Sequence, residues 1–181
     1  DPSFMWRETP WWTDACSEYY NQANPAKARA LLKEAGYKRE PVRFRTSAAR
    51  AEMLAFTEVM SKQLRDVGFN VDIVVMDMGS YTKQWFADEG WELSALHNTF
   101  RDDPSLLSFW ANSDIFARPT REARPDLHKL VERLATEGDP EKRKAVLSES
   151  QCIYYKEALH LRLADAFEVR FVSKSLVNFS S

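Results

Sequence analysis

Apolar residues along this chain recur at helical spacing, then in strict alternation, then at helical spacing again, and this change of period outlines the architecture. Between Asn24 and Gly36, Ala28, Leu31, Leu32 and Ala35 fall on one face of a short helix. Asn24 suits its N-cap, Pro25 its first turn and Gly36 its C′ position. Over 41–46, Val42 and Phe44 alternate with Arg43 and Arg45, the period of a strand. Met53, Phe56, Val59, Met60, Leu64 and Val67 then recur every three or four residues, predicting a helix from about Arg50 that Gly68 ends. Val71, Ile73 and Val75 alternate with Asp72, Val74 and Met76, so this next strand is apolar on both faces, as a central strand would be.

Strand, long helix and strand imply a crossover and a parallel pair, so the strands near 41–46 and 70–76 are expected side by side. A third unit is expected as a helix from about Ser80 to Ala87 and a strand near Trp91–Leu96, with Gly90 at the turn. The fold class is therefore α/β. Beyond Pro104, Leu127, Leu130, Val131 and Leu134 mark a helix after Pro125. Asp139-Pro140 opens another that runs to about Glu157, with Val146, Leu147, Ile153 and Tyr154 inward. Both helices are expected on the flanks of the sheet, and Leu159–Phe179 alternates enough to suggest two short strands. Residues 1–23 carry Trp6, Trp11, Trp12, Tyr19 and Tyr20 without periodicity and read as an extended, aromatic lead-in to a single lobe spanning 24–181.

Composition narrows the class without naming a function. With 44% hydrophobic and 29% charged residues among 181, the chain can bury a sizeable core. Its 25 basic and 27 acidic residues balance to −2, which leaves no basic footprint for nucleic acid. No apolar run approaches the roughly 20 residues that span a bilayer. The start at Asp1-Pro2-Ser3, without a leader, suggests a matured or excised piece. Cys16 and Cys152 either pair, in an oxidising compartment, or stand as two small partly buried thiols; the second is the plainer expectation.

The helix ending Ala35-Gly36-Tyr37, followed by Gln63-Leu64 and then Gly68-Phe69-Asn70-Val71-Asp72-Ile73 with Asp77 beyond, resembles the C-terminal lobe of the peptide- and nickel-binding extracytoplasmic solute-binding proteins of ABC importers. The resemblance implies one lobe of a type II periplasmic-binding-protein fold, with a mostly parallel sheet flanked by helices. It also implies a missing N-terminal lobe, a membrane permease and ATPase as partners, and a periplasmic or lipid-anchored extracytoplasmic location. Ligand would be a peptide or another small solute, held between lobes by hinge closure, with no cofactor and no catalysis.

The densest polar stretch, His97-Asn98-Thr99-Phe100-Arg101-Asp102-Asp103-Pro104, lies just past a predicted parallel strand, where open α/β sheets place ligand crevices. His97, Asn98, Thr99, Phe100 and Arg101 are the candidate cleft residues, while Asp103 reads as a cap for a helix opening at Pro104. In the peptide-binding relatives that this chain resembles, an acid four residues before that proline holds the ligand's amino terminus. Phe100 stands there instead, which implies a ligand with an apolar or neutral surface at that point, such as a modified peptide or a non-peptide solute. His97, His128 and His160 form no metal-binding spacing, and no nucleophile elbow or phosphate loop is present. A sensing or small enzymatic domain built on the same lobe is the alternative, and would need an acid–base pair such as His97 with Asp102.

Overall fold

The computed structural model describes residues 1–85, 90–96, 102–104, 125–163, 171 and 173. Among them the chain runs through α1 (Pro25–Glu34), β1 (Pro41–Ser47), α2 (Ala51–Val67), β2 (Asn70–Met76), α3 (Met78–Trp85), β3 (Leu93–Ser94), α4 (Pro125–Thr136) and α5 (Pro140–Lys156). The strands form one parallel sheet in the order β2-β1-β3, with Phe44 opposite both Ile73 and Leu93. The expected parallel pair is therefore present. β1, not β2, occupies the centre among the described residues; the apolar pattern of β2 exceeds what its place requires, and Val75 is left 51% exposed.

Local chemistry sets the element ends. The Asn24 side chain accepts from the Lys27 amide at 2.9 Å, and Pro25 occupies the first helical turn, where its missing N–H has no duty. Asp139 repeats the arrangement with the Lys142 amide at 3.0 Å ahead of Pro140. Gly68 closes α2 at φ 118°, a conformation strained for any side chain, and a Cβ there would stand 3.2 Å from Leu32 Cδ2, which would have to shift slightly.

α2 lies on the sheet through Met53, Met60 and Leu64, which join Phe44, Val71, Tyr81 and Ala95 in one core. Its fully covered positions are Thr57 and Ser61 as well as Met53, whereas Phe56 and Val59 are exposed. Small residues, Thr57 and Ser61, thus take two of the three buried positions of the helix. The α1 face is corrected in the same way: Ala28 and Leu32 are half-buried, but Leu31 and Ala35 face outward.

A second core lies in the helical part of the chain. Leu127, Leu130, Val131 and Leu134 of α4 meet Val146, Leu147 and Tyr154 of α5, and Phe4 and Met5 of the lead-in complete the cluster. Among the described residues the core that these helices form shares no member with the core of the sheet, so the expected packing on its flanks is not seen there. Their apolar faces close on each other and on the lead-in, which supplies the cover the sheet was expected to give. The lead-in itself contains a 3-10 turn at Ser17–Tyr19. Gln151, buried, holds it to α5: its Oε1 accepts from the Phe4 amide at 3.0 Å and its Nε2 donates to the Ala15 carbonyl at 2.9 Å. Leu159–Leu163 do not form a strand, and most of the span to Phe179 lies outside the described residues.

Cys16 and Cys152 are joined in a disulfide with Cα atoms 5.2 Å apart, against the expectation of free thiols. Packing of the lead-in along α5 brings together residues 136 apart in sequence, a proximity that local patterning does not reveal.

One ion pair gives the sheet a pH signature. Arg43 of β1 binds the Glu92 carboxylate through Nε at 3.0 Å and through Nη2, and its amide donates to Glu92 Oε2 at 2.6 Å. These bonds, the guanidinium's first, hold the Glu92 carboxyl below its ordinary value of 4.5. A depressed carboxyl stabilises the fold above that ordinary value, and the contribution disappears as pH falls through the folded-state value. Wild type should therefore lose stability on acidification below about pH 4.5 more steeply than Glu92→Gln. Parallel acid-unfolding curves for the two proteins would show the pair to be silent.

Candidate functional site

The carboxyl ends of the three strands form the edge where parallel sheets of this kind bind ligands. β1 ends at Ser47, whose buried hydroxyl donates to the Met76 carbonyl at the end of β2 at 3.1 Å and accepts from the Ala49 amide at 3.3 Å. Asp77, just past β2, accepts from the Ser80 amide at 3.0 Å and so caps the first turn of α3. Its carboxyl is held below the ordinary value by the bonds from Ser80. Tyr81, fully buried on α3, bonds the Ser94 hydroxyl at 2.9 Å and the Ala95 carbonyl, which fixes the end of β3.

At this edge the Ser47, Asp77 and Tyr81 side chains are bonded within the chain, while the buried Thr46 hydroxyl has no hydrogen-bond partner among the described residues. Among the described residues the hydrogen-bond partners of the Ser47 hydroxyl are backbone groups. Around the edge, Arg50, Val75 and Leu96 are exposed. Among the described residues no group of three or more His, Cys, Asp or Glu residues is placed to hold a metal ion.

The candidate cleft residues His97, Asn98, Thr99, Phe100 and Arg101 lie outside the described residues. Immediately beyond them, Asp102 and Asp103 are exposed and Pro104 is buried. Asp103 gives its two oxygens to Arg143 of α5 at 3.0 and 2.7 Å, a long-range pairing that its reading as a helix cap did not foresee. The remaining histidines are accounted for elsewhere. His128 is half-buried with Nε2 3.4 Å from Glu132, and the His160 ring stacks on Tyr154 at 5.2 Å.

The paired tryptophans separate by role. Trp11 packs against the helical core beneath Arg143, while Trp12 donates from Nε1 to Asp1 at 2.9 Å and lies under Arg7. Burial in that region pushes the Tyr154 and Tyr155 hydroxyls up to about 12, which keeps both neutral at ordinary pH.

Residues 1–118 match the model of the bacterial extracellular solute-binding proteins, family 5, middle region. The chain belongs to this family. Its members are binding proteins rather than enzymes, and the wider likeness is to peptide- and nickel-binding components of ABC transporters. No curated protein matches the chain.

Among solved structures, AppA of Clostridium difficile is similar over 88% of this chain and 33% of its own, at 18% identity and a TM-score of 0.73. NikA of Brucella suis, solved with Fe(III)-EDTA, is similar over 88% of this chain and 35% of its own, at 14% identity and a TM-score of 0.69. The periplasmic oligopeptide-binding protein of an ABC transporter from Thermotoga maritima is similar over 80% of this chain and 33% of its own, at 16% identity and a TM-score of 0.65. At these identities the likeness is one of fold. The chain thus spans about a third of the length of these proteins. No described helix is long and apolar enough to cross a membrane.

Proposed function

We propose that this chain is the C-terminal lobe of the substrate-binding component of an ABC importer for oligopeptides or a related solute. The observation that carries the reading is the family match over residues 1–118 on a parallel sheet with a braced carboxyl edge. In this reading, ligand is held between this lobe and an N-terminal lobe by hinge closure, and no chemistry is performed on it. The stretch His97–Arg101 leaves Leu96 at that edge and supplies the ligand contacts, with Phe100 facing an apolar or neutral part of the solute. A permease and ATPase complete the importer, and the protein works in the periplasm or, lipid-anchored, outside a Gram-positive membrane. A disulfide between Cys16 and Cys152 suits such an oxidising location.

The test uses the full-length protein with its natural flanking sequence. Mass spectrometry of the purified protein should identify a retained small solute, and Phe100→Asp should shift preference toward free-amine peptides. Calorimetry of the 181-residue chain alone against a peptide library should be flat. A full-length protein that retains and binds no small solute would overturn the reading. A peptide complex of the isolated chain at micromolar affinity, roughly −8 kcal/mol, would overturn the two-lobed clamp.

A further inference from the structure

One face of α5 grips the lead-in at successive turns. The Ser148 hydroxyl meets that of Thr13 at 2.9 Å, and Gln151 bonds the Phe4 amide at 3.0 Å and the Ala15 carbonyl at 2.9 Å. Cys152 is joined to Cys16, and the Tyr155 hydroxyl donates to the Pro2 carbonyl. Residues 148, 151, 152 and 155 recur at steps of three and four, so the grips form one stripe along the helix. Apart from the disulfide, these polar grips are hydrogen bonds between neutral groups, which water can replace at little cost once the contact opens. Burial of Phe4 and Met5 adds the apolar part of the attachment.

The lead-in is also bonded to itself. Ser3 Oγ accepts from the Met5 and Thr13 amides at 3.1 and 3.2 Å, and Asp1 accepts from the Ser3 amide at 3.1 Å. None of these bonds involves α5, so they favour movement of the segment as a body. The backbone at its latch, by contrast, is strained. Cys16, Asn21 and Ala23 lie at φ 59°, 47° and 44°, left-handed values that crowd a side chain against its own carbonyl. Such residues persist only where their surroundings hold them, and the disulfide stands at the first of the three. Both cysteines are half-buried. A disulfide that restrains a strained, partly accessible segment is more readily reduced than one at rest in a core.

We propose that the Cys16–Cys152 bond is a redox-sensitive latch and the lead-in the strap it closes. The reductant is a dithiol. Its thiolate attacks one sulfur of the bond, forms a mixed disulfide and expels the other cysteine, which takes up a proton. Its second thiolate then closes on the mixed disulfide and expels the remaining cysteine, which is protonated in turn. Two electrons have passed from the dithiol, now a disulfide, to Cys16 and Cys152, now thiols. Once unlatched, the strap opens from α5 and recloses on its own, relaxing the backbone between 16 and 23. The sheet keeps its structure, because its core shares no member with the one the strap covers. This device is independent of the importer reading and of the solute.

The test compares oxidised and reduced full-length protein under native conditions. Dithiothreitol without denaturant should make Cys16 and Cys152 available to a thiol label, and re-oxidation should close them again. Two amides report on the structure: that of Phe4, which crosses to Gln151, and that of Ala95, which donates to the Arg45 carbonyl within the sheet at 3.0 Å. On reduction, hydrogen exchange at Phe4 should accelerate at least about tenfold, the size expected from relieving one left-handed residue. Exchange at Ala95 should stay as it was. Cys16→Ser/Cys152→Ser should show the Phe4 rate of the reduced wild type in either buffer, which separates loss of the bond from any other effect of the reductant. Thiols that appear only after denaturant is added would make the bond purely structural and overturn the proposal. Phe4 exchange unmoved by reduction, or equal acceleration at Phe4 and Ala95, would overturn it as well.

Discussion

Loss of the Cys16–Cys152 bond is expected to lower the unfolding free energy by about 5 kcal/mol. The bond joins residues 136 apart in sequence, so reducing it restores a large amount of freedom to the unfolded chain. The effect on the native side is more local. Without the bond, the lead-in is held by the Gln151 hydrogen bonds, by the 2.9 Å contact between the Thr13 and Ser148 hydroxyls, and by burial of Phe4 and Met5. Cys16 also sits at φ 59°, a left-handed conformation that costs a non-glycine residue about 1–2 kcal/mol and that the bond helps maintain. Urea unfolding of the oxidised protein against the Cys16→Ser/Cys152→Ser double variant measures the difference directly. Loss should appear first in probes of the helical core, such as Trp11 fluorescence. A midpoint unmoved by the double substitution would mean that the lead-in is held by its other contacts alone.

The contrast between the disulfide and the sheet shows what the sequence could convey. β1, α2 and β2 succeed one another with short connections, and each has a clear period, so their existence and parallel pairing were readable. The caps at Asn24 and Asp139 were readable for the same reason, since the donor and acceptor lie three residues apart. Order within the sheet was not. The both-sided apolar pattern of β2 suggested a central strand, but β3, only Leu93–Ser94, joins β1 on its other side. Such a short strand has no period to detect.

Long-range closure was the least visible level. Nothing local to Asp103 signals Arg143, and nothing local to Gln151 signals the carbonyl of Ala15. The pattern of α4 and α5 showed which faces would be buried and was right about them, but it could not say what would cover those faces. The lead-in, whose aromatics lack any period, turned out to supply part of that cover through Phe4, Met5 and Trp11. At the candidate site, a strand near Trp91–Leu96 was expected after the turn at Gly90, and β3 falls within that span. The brace behind it, Tyr81 on Ser94 and Ala95, depends on how α3 lies on the sheet.

Arg45→Ala should be a costly substitution in the sheet, because it empties a buried position and leaves the Gln84 carbonyl without this donor, a loss of about 1–3 kcal/mol for an unsatisfied buried polar group before any cavity is counted. Arg45 is only 3% exposed, and among the described residues no carboxylate is a hydrogen-bond partner, which would ordinarily be a costly position for a cation. Three features offset that cost. Nη1 donates at 2.7 Å to the Gln84 carbonyl near the end of α3, where helix carbonyls carry partial negative charge. Nε donates at 2.9 Å to the Ser94 hydroxyl of β3. The guanidinium lies 4.0 Å over Trp91 and 5.4 Å from the centre of the Tyr81 ring, so aromatic faces stand in for a counterion. Burial nonetheless pulls the Arg45 guanidinium below its ordinary value, with the Tyr81 hydroxyl opposing that shift. Hydrogen bonds to a charged donor contribute about 1.5–3 kcal/mol each and a desolvated cation–aromatic contact about 2, against which the buried charge must be set. Arg45→Lys should cost about 2 kcal/mol, because one ammonium cannot serve Gln84, Ser94 and Trp91 together. Arg45→Met separates charge from volume: it fills the space but strands the Gln84 carbonyl and leaves the Ser94 hydroxyl to Tyr81, for an expected loss of about 1–3 kcal/mol. Equilibrium unfolding of the three variants decides the matter. A methionine variant as stable as wild type would show that the polar bonds only repay the burial of the charge, and that Arg45 serves the sheet by its bulk.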